Sequence, residues 1–309
     1  VAVQAERFPK SWYMITMRIE KLRQDVYNAI DTAGNDLLLP GYISEIESLV
    51  DDPKASARDL CEIIDSRPDL SFALINAANS PFYSLSKRAV STIQSVQAIG
   101  FKEVMAVARC HAVYSLFATE KSSLAEKIIV HGSAVGTAAV LISMHLKVKQ
   151  SAEIYLAGLV HDIGKIFMSS FMTEKFEKFI WMLNDPENLL GYHKLEAMVF
   201  GVTHSEAGAA VLERAGFDKN TIDTVLYHHT GPEKGQAPLL ASIIHIADII
   251  CNIKGLTPFK GLTFPMVEQE MLLPVQEIKK DFGAKDMSYL ADRVDIEIER
   301  LRPFYAALR

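Results

Sequence analysis

His161 and Asp162 sit inside the run Leu156-Ala-Gly-Leu-Val-His-Asp-Ile-Gly-Lys-Ile166, otherwise broken only by Lys165. Burying an imidazole and a carboxylate together is costly unless something pairs them. A metal ion is the strongest available partner, because it turns desolvation into coordination. Further His and Asp residues stand in apolar or capped segments: His131, His204, the pair His228-His229, and Asp248. Each has an ordinary role when taken alone, as a hydrogen-bonded core histidine, a solvated helix end or a paired aspartate. Together they form a nitrogen and oxygen donor set of the kind that favours Fe or Mn, with Zn also suited. Cys61, Cys110 and Cys251 have no paired spacing, so they form neither a disulfide framework nor a thiolate site. They fit a reducing, cytoplasmic compartment.

The elements that must position these groups are helices. Apolar residues recur at three-to-four spacing, and period-two alternation is nearly absent, so the chain is expected to be all-α. Residues 1–36 read as an N-terminal helix, with Ile15, Ile19, Leu22, Val26 and Ile30 on one face and Gly34-Asn35 as its stop. Residues 37–123 read as a string of short helices punctuated by Asp52-Pro53 and Arg67-Pro68, with Ser56 and Ser91 as N-caps and Gln94 completing a capping-box pattern. Glu120–Ser123 is a polar break. A helix over Ala125–Leu146 carries His131, and the run around His161 is expected to be one buried helix ending at Gly164, read as its C-cap. Phe167–Leu183 reads as one amphipathic helix. Thr203 and Glu206 form a second capping box that puts His204 in the first turn of a helix. Asp218–His229 and Pro238–Asn252 follow as helices, separated by the loop Gly231-Pro232-Glu233-Lys234-Gly235. Residues 255–309 hold two or three weaker helices.

With 309 residues and 49% hydrophobic content the chain can bury a large core. A net charge of −6 without a long basic run argues against a dedicated nucleic-acid surface but leaves room for a local phosphate pocket. Residues 1–10 have no signal-peptide core. The apolar windows Ala134–Leu146 and Leu239–Ile253 are too short to span a bilayer, so no membrane partner is expected.

One string of residues carries a resemblance: Leu39-Pro40, Leu49-Val50-Asp51-Asp52-Pro53, Asp59-Leu60, Ile63-Ile64, Pro68-Asp69-Leu70, Ala77-Ala78-Asn79-Ser80-Pro81-Phe82-Tyr83, Ser91-Thr92-Ile93 and Ala98-Ile99-Gly100-Phe101. In this order they resemble the HDOD domain, the HD-related output domain of bacterial signalling proteins, over roughly Leu37 to Ile253. The resemblance implies a helical HDOD subdomain at 37–123, an HD-like metal-binding bundle at 124–254 and C-terminal helices at 255–309 packing on it. It also implies a signalling module, acting through a protein partner or a phosphate-containing small molecule. The order His … His-Asp … His … His-His … Asp is similar to that of HD-domain phosphohydrolases. By that similarity His131, His161, Asp162 and Asp248 would hold one ion; with Asp162 bridging, His204, His228 and His229 would hold a second. Metal would lower the pKa of water and supply a nucleophile for a phosphoester, with Asp162 at the reacting centre and Lys165 contacting phosphate. The HD-GYP cyclic di-GMP phosphodiesterases follow their paired histidines with a glutamate and a Gly-Tyr-Pro loop. This chain has Thr230 and Gly231-Pro232-Glu233 there, which separates metal binding from any particular substrate. His245 is read as a core histidine behind the ligands. His111, His145 and His193 have no place in the pattern, and Glu153, Glu196 and Glu206 are candidate outer partners.

Overall fold

The computed structural model describes residues 10–36, 40–79, 83, 85–117, 123–148, 152–185, 187–188, 190–230, 237–259 and 269–306. The loop 231–236, most of the polar break after residue 117, and Ser80-Pro81-Phe82 lie outside the described residues. All regular elements among the described residues are helices. In chain order they are α1 (Lys10–Asp36), α2 (Gly41–Asp51), α3 (Ala57–Asp65), α4 (Pro68–Ala78), α5 (Thr92–Ile99), α6 (Phe101–Phe117), α7 (Ser123–Leu146), α8 (Ala152–Val160), α9 (Ile163–Phe171), α10 (Thr173–Leu183), α11 (Tyr192–Phe200), α12 (His204–Arg214), α13 (Lys219–Tyr227), α14 (Pro238–Ile253), α15 (Gln269–Ile278) and α16 (Ala284–Ala306). The all-α expectation holds.

Local chemistry sets the boundaries. Ser56 and Asp59 form a reciprocal capping box at α3, and Thr203 and Glu206 do the same at α12. Ser91 caps α5 through the Gln94 amide, but the Gln94 side chain accepts from Val90 N at 2.9 Å, outside the helix. Asn79, at the end of α4, explains its motif: its amide donates to Ala89 O at 2.9 Å and its Oδ1 accepts from Ala89 N at 3.0 Å. One side chain thereby clamps the extended segment that leads into α5. Helix α1 runs two residues past Gly34 to Asp36.

α7 and α14 are the inner beams. α14 is buried at every position from Ala241 to Asn252, as expected of a helix apolar all round. α7 packs against α8, α14 and α16. Its span Leu124–Leu146 is long and apolar enough to cross a membrane by length and composition, contrary to the shorter window read from sequence, yet 72% of its most apolar 18-residue stretch is buried inside the fold. Core packing supplies the reason for its apolarity. α2–α6 pack among themselves, and α6 also meets α8 and α9. α1 lies across α11 and α12.

Two expected helices are each broken in two. The run around His161 forms α8 and α9, with His161-Asp162 in the turn between them. His161 Nδ1 donates to Gly158 O at 2.8 Å, and Asp162, at φ −101° and ψ 12°, occupies the position before α9. The side chain bonds locally to the backbone, a competitor of the helical ladder. Gly164 is therefore not a C-cap. It lies in the first turn of α9, where a methyl group would collide with the carbonyl of His204. Its missing side chain lets α9 and α12 approach closely and brings Asp162 up to His204. Phe167–Leu183 is likewise split, at Met172, into α9 and α10.

Phe167, Phe179 and Phe200 are fully buried around these helices. Truncating any one to alanine is expected to cost about 3–5 kcal/mol. Phe179 meets Tyr192 edge-on at 5.2 Å and Phe200 at 5.8 Å, tying α10 to α11.

Candidate metal centre

The seven proposed donors come from five places in the bundle. His131 is on α7, His161 and Asp162 are in the α8–α9 turn, and His204 opens α12. His228 ends α13, His229 follows it, and Asp248 is on α14. Gly201 ends α11 in the left-handed region at φ 79°, packed against the α1 backbone. That reversal delivers Thr203 as the cap and His204 as the first residue of α12. His161, Asp162, His204 and His228 are fully buried, with His131 and Asp248 nearly so. His229 is half-buried.

Asp162 is the centre of the arrangement. Its Oδ2 lies 2.7 Å from Lys165 Nζ, 3.5 Å from His161 Nε2 and 3.7 Å from His131 Nε2. Its Oδ1 lies 3.3 Å from His204 Nε2. The two oxygens face opposite halves of the site. Asp248 Oδ1 closes the first half, 3.0 Å from His131 Nε2 and 3.9 Å from His161 Nε2. It also accepts from Asn252 Nδ2 at 2.7 Å. Donor atoms of His131, His161 and Asp162 lie within 4.8 Å of one another, and so do those of Asp162, His204 and His228.

Hydrogen bonding behind the rings decides which nitrogen faces inward. His161 Nδ1 donates to Gly158 O at 2.8 Å, and His228 Nδ1 donates to Val225 O at 2.7 Å. His131 Nδ1 donates to Leu256 O at 2.5 Å. His204 Nδ1 faces Glu196 Oε2 at 2.8 Å, and the same oxygen accepts from His204 N at 3.1 Å. A neutral imidazole carries one N–H. With Nδ1 committed in all four rings, Nε2 points into the centre in each case; in the neutral rings of His161, His204 and His228 it is a lone pair, and His131 Nε2 lies 3.0 Å from Asp248 Oδ1. His161 Nε2, His228 Nε2 and Asp162 Oδ1 are buried without a hydrogen-bond partner. The His204 Nε2 lone pair faces Asp162 Oδ1 at 3.3 Å, and the two repel unless a cation lies between them. The arrangement fits a divalent ion, with carbonyls and Glu196 behind the imidazoles in the positions that orient metal-bound histidines.

The charge states agree. Burial pushes His161 below its ordinary value, His204 and His229 well below it and His228 to about 3, so these rings are neutral, the ligand form. Burial works against the Asp162 charge, but the Lys165 ammonium 2.7 Å away holds its carboxyl well below the usual range. Burial likewise opposes the Lys165 charge, and Asp162 outweighs it, holding Lys165 above its ordinary value. Burial pushes Glu196 up to about 8, against Lys165 and the His204 amide.

Lys165 is thus no surface lysine: it is buried, bound to Asp162, and lies over the Tyr192 ring at 5.1 Å and the Phe259 ring at 5.9 Å. Among the three outer glutamates, the structure selects Glu196. Glu206 serves the α12 cap and pairs with Arg23, and Glu153 is exposed. His245 stays behind the site, its Nδ1 2.8 Å from His228 O. His111 bonds to Tyr42 and Asp69, and His145 to Asp286, both away from the centre. His193 departs from expectation. Its ring lies 4.1 Å from His229 and 5.4 Å from His204, and donor atoms of these three lie within 4.8 Å of one another. No sequence signal marked it as facing His229. His229 itself groups with His193 and His204, whereas the group centred on Asp162 takes His228.

The HDOD domain family matches residues 37–231. An HDOD domain protein of unknown function from Geobacter sulfurreducens superposes with a TM-score of 0.64 at 24% identity, covering 88% of this chain and 92% of its own. A candidate metal-dependent phosphohydrolase of Shewanella amazonensis gives 0.58 at 20% identity, covering 88% and 98%. These likenesses concern the fold. An uncharacterised protein of Treponema pallidum is 22% identical over 285 residues, 88% of this chain. The chain spans 54% of the length of that curated relative. The family match covers well over half of the chain, through the whole α2–α13 region that builds most of the site: the chain belongs to the HDOD domain family.

Proposed function

We propose that this chain is a signal-transduction output module that holds a divalent transition metal at the centre of its bundle. The observation that carries the reading is the convergence of four imidazole Nε2 atoms on the carboxylates of Asp162 and Asp248, with two of those nitrogens buried and unpartnered. His131, His161, Asp162 and Asp248 would hold one ion, and His204, His228 and His229 a second, with Asp162 between them. Fe, Mn and Zn all suit such nitrogen and carboxylate donors. A partner protein or a phosphate-containing small molecule would be the signal. The HD-type ligand set serves here to bind metal and to couple the α8–α9 turn, α12 and α14 into one unit.

A second reading is metal-dependent hydrolysis of a nucleotide or cyclic dinucleotide. Lys165 favours it: a buried ammonium 2.7 Å from Asp162 is a cation placed where a phosphoryl oxygen would need one. The name of the Shewanella relative points the same way. A bound divalent ion would supply Lewis acidity, acidifying water and polarising a phosphoryl oxygen. Lys165 would orient the phosphate, Asp162 would hold Lys165 in place, and Glu196 would fix the His204 tautomer.

The deciding experiment is turnover of an aryl phosphodiester and of cyclic di-GMP by protein reconstituted with Mn or Fe. The module reading predicts no turnover above the metal-free control. Turnover that Lys165→Ala removes while metal content is kept would replace it with the hydrolase reading.

A further inference from the structure

Three histidines stand on the outer side of the centre, and one of them belongs to no part of the HD pattern. His193 is the second residue of α11, one turn before Glu196. Its ring lies against that of His229, with centroids 4.1 Å apart, and 5.4 Å from His204. The His204 and His229 rings are 5.2 Å apart. The Nε2 atom of His193 is buried and has no hydrogen-bond partner. A structural histidine this enclosed ordinarily bonds through both nitrogens or reaches water, because an unsatisfied buried polar atom costs about 1–3 kcal/mol.

The position of His204 narrows what the cluster can be. Its Nδ1 is committed to Glu196 at 2.8 Å, so it has a single lone pair to offer, on Nε2. One lone pair serves one ion. The groups around His204 are therefore donors to the same ion: Asp162 and His228 on the inner side, His193 and His229 on the outer side. Metal–nitrogen bonds of about 2.0–2.1 Å put neighbouring ligand nitrogens ~3–4 Å apart. Donor atoms already within 4.8 Å of one another reach that spacing by modest ring rotations.

We propose that His193 is a ligand of the ion held by His204, completing its outer side together with His229. The proposal rests on the metal-binding reading above and extends it. The ligand is a divalent transition-metal ion, and an imidazole-rich set of this kind suits Zn, Fe, Cu or Ni. The consequence is an asymmetric pair of ions: the inner one is bound by two imidazoles and two carboxylates, the outer one by imidazoles with a share of Asp162. The outer ion carries less compensating negative charge and is the better acceptor for an anionic ligand.

The test is calorimetric titration of chelator-stripped, full-length protein with Co²⁺, with the cobalt visible spectrum recorded in parallel. Wild type is expected to show two binding events. His193→Ala is expected to weaken the weaker event at least tenfold, change its cobalt spectrum and leave the tighter event unchanged. His193→Gln, which keeps side-chain bulk and polarity, is expected to do the same should the alanine variant unfold, as judged by thermal melting of the stripped forms. His229→Ala should affect that same event. Both His193 variants titrating as wild type, or His193 and His229 acting on different events, would overturn the proposal while leaving the metal-binding reading in place. Wild-type protein that binds no ion would overturn both.

Discussion

Helix α7 carries two histidine–aspartate pairs, and they behave differently. Near one end His145 Nε2 meets Asp286 Oδ1 at 2.6 Å. The same carboxylate also accepts from Lys279 Nζ at 2.9 Å and from Gly283 N at 3.0 Å. Donors and charge balance acceptors, and the pair ties α16 to α7. Fourteen residues earlier His131 Nε2 meets Asp248 Oδ1 at 3.0 Å. There a second carboxylate, Asp162, lies 3.7 Å from the same nitrogen, and more buried lone pairs converge than Lys165 and Asn252 can satisfy. The first pair is a finished structural contact. The second is short of positive charge, which a divalent ion would supply. Residue type does not distinguish the two; the surplus of acceptors does.

That contrast can be broken most sharply by truncating the two histidines in parallel. His131→Ala is expected to weaken binding at the inner position by well over tenfold, read by metal titration, whereas His145→Ala should leave metal content unchanged and lower only stability. Equal metal loss in both would erase the distinction. A smaller effect is expected behind the ligands. Glu196→Ala frees His204 Nδ1 and should weaken the outer ion about 10–100-fold. Unchanged affinity would mean that Glu196 does not fix the tautomer.

The smallest effect belongs to the structural pair. Desolvation opposes the Asp286 charge, but Lys279, His145 and the Gly283 amide hold its carboxyl down at about 2, against 3.8 when unperturbed. A depressed carboxylate contributes stability that is present above the unfolded value and lost as pH falls through the folded one. With solvent screening of the Lys279 contact discounted, Asp286 is therefore expected to contribute about 1 kcal/mol at neutral pH, disappearing between roughly pH 4 and pH 2. Chemical denaturation of Asp286→Asn should show that loss at pH 7 and converge with wild type near pH 2. A constant offset across the range would show that packing, not charge, is the source.

Much of this was legible in the chain itself. Helical periodicity, the Thr203–Glu206 capping box and the apolar stretch Pro238–Asn252 give α12 and α14 directly, because caps and burial are local in sequence. The break at His161-Asp162 was not legible. An apolar run promises helix, and only the His161 bond to Gly158 O and the close approach at Gly164 show that the chain must turn there. His193 was hidden for a related reason. Its partner His229 is thirty-six positions away, and nothing local records that α11 and the end of α13 meet. Glu196 could be proposed as one of three glutamates, but only the fold picks it out.

The central claim is that Asp162 organises a metal centre. Elemental analysis of untagged protein, purified without chelator, compared with Asp162→Ala, tests it most directly. The account predicts at least one equivalent of a transition metal in the wild type and none retained by the variant, with the variant still folded. Wild type free of transition metal, or a folded variant that keeps its metal, would contradict it.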